Sequence, residues 1–118
     1  MARILVVDDE QDVRMYVERA LKADGHEVVS CFDGYMALAA LREQNFDLML
    51  TDIAMPGMDG ITLSLQAEHD YPGLKILLMT GYAHERQRAH NLDALVHEVM
   101  SKPFDMDVLR QRVKSLLV

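Results

Sequence analysis

The chain has 118 residues, half of them apolar, which is the length of one domain (residues 1–118) with enough apolar material for one core. A formal charge of −7 excludes a nucleic-acid surface, which needs clustered Lys and Arg, and suits a pocket that takes a cation. One cysteine, Cys31, excludes an internal disulfide and points to a reducing, cytoplasmic setting; Cys31 itself reads as a small buried residue at a strand end.

The first element follows Met1-Ala2-Arg3 at once. Ile4-Leu5-Val6-Val7 ends at two aspartates, which is too short for a signal peptide or a membrane span and predicts a buried strand. Val13, Val17, Ala20 and Leu21 share one helical face, and Gly25 stands where a helix C′ glycine belongs. Glu27–Cys31 predicts a second strand, and Ala37, Ala40 and Leu41 mark a second helix. Leu48–Thr51 predicts a third strand and 59–69 a third helix. Lys75–Met79 predicts a fourth strand. Residues 85–92 follow as a short, weakly held helix with Ala89 and Leu92 as its apolar anchors. Residues 97–100 predict a fifth strand, and Leu109, Val113, Leu116 and Leu117 a last helix. Met49, Met79 and Met100 fall in strands and belong to the core. His26, His69, His84, His90 and His97 lack metal-ligand spacing and read as surface or helix-end residues.

Strands alternating with helices predict a parallel sheet covered on both faces, with its functional crevice at the carboxyl ends of the strands. Asp8-Asp9, Asp33, Asp52, Thr80 and Lys102 all fall there. Three carboxylates at one rim repel each other unless a cation sits among them, and oxygen ligands with room for water suit Mg²⁺. A carboxylate nucleophile, a metal seat, a lysine and a hydroxyl together provide what phosphoryl transfer to an aspartate requires. Each residue alone has a plainer reading. Asp8-Asp9 resembles a helix N-cap, Asp52 a residue before the turn at Pro56-Gly57, Thr80-Gly81 a turn and Lys102-Pro103 a bend.

Three blocks carry a family resemblance: Val6-Val7-Asp8-Asp9-Glu10, the stretch from Thr51-Asp52 through Met55-Pro56-Gly57-Met58-Asp59-Gly60, and Ser101-Lys102-Pro103-Phe104. In order, spacing and total length they resemble the CheY-like response-regulator receivers of two-component systems. The resemblance implies a flavodoxin-like (βα)5 doubly wound sheet of order 2-1-3-4-5. It implies Asp52 as phosphoacceptor, fed by a histidine kinase or histidine phosphotransferase. It implies Mg²⁺ held by Asp9 and Asp52 directly, by Asp8 through water and by the backbone carbonyl of Ala54. Thr80 and Lys102 would bind the phosphoryl group, and Lys102-Pro103 would be cis. Such a protein is a switch rather than an enzyme. Aspartyl-phosphate phosphatases also use a nucleophilic Asp but need a second acid two residues on, where this chain has Ala54.

The chain departs from the family pattern at Val99, where many members carry an aromatic that turns inward on activation, and at Gly81, often alanine. Ala54 and Tyr82 fill the two variable positions flanking the phosphoryl group. Residues 86–97 and the opening Met1–Leu5 further resemble the CpdR group of single-domain receivers, whose output partner is the ClpXP protease and whose unphosphorylated form is active. The output surface is expected on the fourth helix, fifth strand and last helix, which adjoin Thr80 and Lys102, around residues 85–98, Asp105 and Arg110. A phosphorelay intermediate or phosphate sink, and a receiver detached from a DNA-binding regulator, remain alternatives.

Overall fold

The computed structural model describes residues 1–81 and 98–118. Its strands are β1 (Arg3–Val7), β2 (Glu27–Cys31), β3 (Leu48–Asp52), β4 (Lys75–Thr80) and β5 (Glu98–Ser101). Its helices, among the described residues, are α1 (Gln11–Ala23), α2 (Gly34–Glu43), α3 (Gly60–Asp70) and α4 (Met106–Leu117). The strands form one parallel sheet of order β2-β1-β3-β4-β5, the flavodoxin-like order that the resemblance implies. The expected helix over 85–92, and with it Tyr82 and most of the output surface, lies outside the described residues.

Alternation along the strands sends successive side chains to opposite faces. Leu5, Val7, Met49, Ile76 and Leu78 pack with α2 and α3, while Ile4, Val6, Leu50, Leu77 and Met79 pack with α1 and α4. Both faces are thus covered, which is why β1, β3 and β4 read as unbroken apolar runs. β2 is an edge strand and is mostly half-buried. Met49, Met79, Met100 and Cys31 are buried as expected, and burial pushes the Cys31 thiol up to about 11.

Helix ends are tied by local chemistry. Asp33, Asp59 and Asp105 each accept a backbone N–H at 2.8 Å, from Met36, Thr62 and Val108, and so begin α2, α3 and α4. Gly25, at φ +87°, ends α1: its N–H donates to the Lys22 carbonyl at 3.0 Å and that of His26 to the Leu21 carbonyl at 3.2 Å, a Schellman pair. Among the described residues no helix is long and apolar enough to cross a membrane.

Candidate functional site

Strand register sets the rim. Val7 pairs with Thr51 and Thr51 with Leu78, so Asp8 and Asp52 leave the sheet at one level; Thr80 pairs with Ser101, one residue before Lys102. β3 and β4 each run one residue further than the apolar pattern suggests, making Asp52 and Thr80 the last strand residues. Both are nearly sealed, at 4% and 2% exposure. The loop after Asp52 is fixed by close approach. The Gly60 N–H donates to the Ile53 carbonyl at 2.8 Å, and a Cβ at Gly60 would collide with the Asp52 carbonyl oxygen, so only glycine fits there.

Asp8 is completely buried. Its Oδ1 accepts the Glu10 N–H at 2.9 Å, its Oδ2 accepts from Lys102 Nζ at 2.9 Å, and Arg14 Nη1 donates to its carbonyl at 2.7 Å. Neither Asp8 nor Asp9 caps α1. The N-cap is Glu10, whose side chain makes no cap hydrogen bond, so the plainer reading of the Asp-Asp pair is set aside. Asp33, by contrast, is a cap and takes that role instead of a place in the pocket. Lys102 reaches across the crevice on the cis Lys102-Pro103 bond, its own N–H donating to the Thr80 carbonyl at 2.7 Å. Its Nζ stands 3.3 Å from Asp52 Oδ2 and 3.7 Å from Glu10 Oε1. Val99 packs half-buried on the side of α2 and α3, and Ala54 is exposed in the loop.

Electrostatics follow from burial. The Asp52 carboxyl is pushed up to about 6, first by burial and then by the charges of Asp8 and Asp9, against the opposing pull of Lys102. Burial is the largest influence on Lys102 and pulls it down. The hydrogen bond to Asp8 and the charges of Asp52 and Asp8 together outweigh it and hold the ammonium above its ordinary value.

Carboxylate oxygens of Asp8, Asp9, Glu10 and Asp52 lie within 4.8 Å of one another. Six oxygens about 2.1 Å from Mg²⁺ lie within about 4.2 Å of each other, so a small inward movement of hard oxygen donors makes a fitting seat. Glu10 is the acid that motif reasoning passed over. The signal was its place directly after Asp8-Asp9, and tertiary structure turns it toward Lys102.

Comparison with known proteins agrees with this geometry. The family model for the response regulator receiver domain matches residues 4–114. The response regulator receiver protein CpdR of Brucella abortus is 36% identical over 118 residues, which is 100% of this chain and 98% of that protein. Sporulation initiation phosphotransferase F of Bacillus subtilis is 32% identical over 117 residues, 98% of this chain and 93% of that protein. The crystal structure of response regulator protein TrrA from Thermotoga maritima, in complex with Mg(2+)-BeF, superposes with a TM-score of 0.90 at 35% identity, covering 99% of this chain and 100% of that one. The chain belongs to the response regulator receiver domain family, with the CheY-like fold.

Proposed function

We propose that this chain is a single-domain response regulator, residues 1–118, in which Asp52 accepts a phosphoryl group from a phosphohistidine on a kinase or phosphotransferase. The observation that carries the reading is Asp52 itself: a nearly buried carboxylate with a lysine ammonium at 3.3 Å and a second acid, Asp8, sharing that ammonium. A carboxylate oxygen of Asp52 attacks phosphorus, the bond from phosphorus to the donor nitrogen breaks, and the imidazole leaves. Lys102 neutralises one phosphoryl oxygen, and Thr80, at the end of β4, donates its hydroxyl to another. Asp9 and Asp52 directly, Asp8 through water and the Ala54 carbonyl would hold Mg²⁺, which when bound would offset the charge between carboxylate and phosphoryl group. Gly60 keeps the Asp52 backbone fixed throughout.

The chain works in the cytoplasm as a phosphoacceptor and catalyses only its own phosphorylation and dephosphorylation. Val99 is stiff at χ1 and cannot swing as an aromatic would, so the Thr80 shift is read by the segment that follows β4. Near-complete coverage of the Brucella CpdR supports the single-domain reading, and the CpdR resemblance names the ClpXP protease as output partner, engaged through ClpX by the unphosphorylated form. A second reading, phosphorelay intermediate, is favoured by the match to a sporulation phosphotransferase over 98% of this chain and 93% of that protein.

The test is labelling by acetyl phosphate with Mg²⁺, followed by capture of ClpX and of a histidine phosphotransferase with and without beryllofluoride. Wild type should be labelled and Asp52→Ala should not; labelling of Asp52→Ala to one phosphoryl group per chain overturns the assignment. ClpX capture that beryllofluoride abolishes supports the protease role. Phosphoryl transfer onward to the phosphotransferase, with no ClpX capture in either state, replaces it with the relay role.

A further inference from the structure

Glu10 is the N-cap of α1 but gives that helix no side-chain hydrogen bond, so helix capping does not account for where its carboxylate lies. Instead it stands 3.7 Å from Lys102 Nζ, the same ammonium that Asp8 holds at 2.9 Å and Asp52 at 3.3 Å. The three acids differ in depth. The side chain of Asp8 is fully buried and that of Asp52 is 6% exposed, whereas that of Glu10 is 64% exposed. Of the three acids on this lysine, Glu10 is therefore the one at the mouth, with Asp52 at the bottom. It also lines an open groove of about 490 Å³ whose floor is Val13, Tyr16, Pro103 and Phe104 and whose other acid is Asp12.

We propose that Glu10 is a specificity-determining residue, which selects against phosphodonors with an anionic leaving group and favours those whose leaving atom is a protonated nitrogen. This rests on Asp52 being the phosphoacceptor. In an in-line displacement the leaving group lies on the side of phosphorus away from the attacking oxygen, which here is the mouth. Attack on acetyl phosphate breaks the bond from phosphorus to the acyl oxygen and expels acetate, whose negative charge grows beside Glu10. Attack on phosphoramidate breaks the phosphorus–nitrogen bond and expels neutral ammonia from a donor that is cationic at nitrogen, which Glu10 attracts. A unit charge about 5 Å away in a water-like dielectric changes such a rate by about three- to tenfold.

The experiment measures second-order rate constants for Mg²⁺-dependent labelling by phosphoramidate and by acetyl phosphate, in wild type, Glu10→Gln, Glu10→Asp and Asp12→Asn. The ratio of the two constants should fall about three- to tenfold in Glu10→Gln and stay near wild type in Glu10→Asp, which keeps the charge. It should change less than about twofold in Asp12→Asn, whose charge lies along the groove and not over the lysine. Ionic strength of about 1 M should bring the wild-type ratio to the Glu10→Gln value, because an exposed charge is screened. A ratio unchanged by Glu10→Gln, or lowered as much by Asp12→Asn, overturns the proposal. Absence of labelling in wild type by either donor overturns the phosphoacceptor reading and this inference with it.

Discussion

The two ends of the sheet use charge in opposite ways. At the amino-terminal floor charges sit near the surface in matched pairs: Arg3 with Glu27 at 2.9 Å, and Asp24 with Arg110, whose Nε donates to it at 2.9 Å. Asp47 accepts the Arg3 N–H on its side chain at 2.8 Å, while its backbone bridges Arg3 and Lys75. At the carboxyl rim Asp8 and Asp52 are buried with acids in excess and Lys102 shared among them. The first floor pair joins β1 to β2 and the second joins the end of α1 to α4; such exposed pairs are individually weak. The rim keeps unneutralised charge out of water, which costs stability. Removing an acid should therefore act with opposite sign at the two ends.

The largest effect should come from Lys102→Met, which leaves the sealed Asp8 carboxylate without its ammonium. Chemical denaturation without divalent cations should show a loss of about 3–5 kcal/mol. A loss below about 1 kcal/mol would mean that the rim is not held by this lysine.

Asp52→Asn should do the reverse. The Asp52 carboxyl lies near 6 against an ordinary 3.8, so the folded protein binds this proton more tightly than the unfolded chain. Its contribution is most favourable below pH 3.8 and is lost as pH rises toward 6. Above that, the charge costs about 3 kcal/mol without a cation. At pH 7.5 the Asn variant should be more stable than wild type by up to about that amount, and the difference should shrink as pH falls toward 4. A variant less stable than wild type at pH 7.5 would show that the rim charges are already compensated.

Asp9→Asn should give a smaller gain, below about 1 kcal/mol, because Asp9 is exposed, together with a clear fall in Mg²⁺ affinity by titration. Unchanged affinity would remove Asp9 from the metal seat.

At the floor, Asp24→Asn should lower stability slightly, by the smallest change of the series. Its hydrogen bond to Arg110 holds the Asp24 carboxyl below the usual range, so the contribution is present above the ordinary carboxylate value and fades as pH falls through the lowered one. A gain in stability at neutral pH would erase the contrast between the two ends.

Much of this molecule is determined by sequence alone. Apolar runs at Ile4–Val7, Leu48–Thr51 and Lys75–Met79 demand strands covered on both sides, because no polar face remains to meet water. The block from Asp52 to Gly60 is legible through its family resemblance, and the structure adds the physical reason for its last residue: Gly60 is required by a backbone approach that no other residue allows. What tertiary structure decided is how the charges are shared. Adjacent aspartates look alike in sequence, yet strand register seals Asp8 against Lys102, ninety-four positions away, and leaves Asp9 exposed. Asp33 and Asp52 both follow apolar runs, but one turns back to cap α2 while the other ends β3 inside the pocket. The placing of Glu10 over the lysine likewise depends on which chain segments lie alongside. Periodicity records whether a side chain must avoid water; it carries no record of which distant charge will face it, and burial and long-range pairing are what decide the chemistry of an acid.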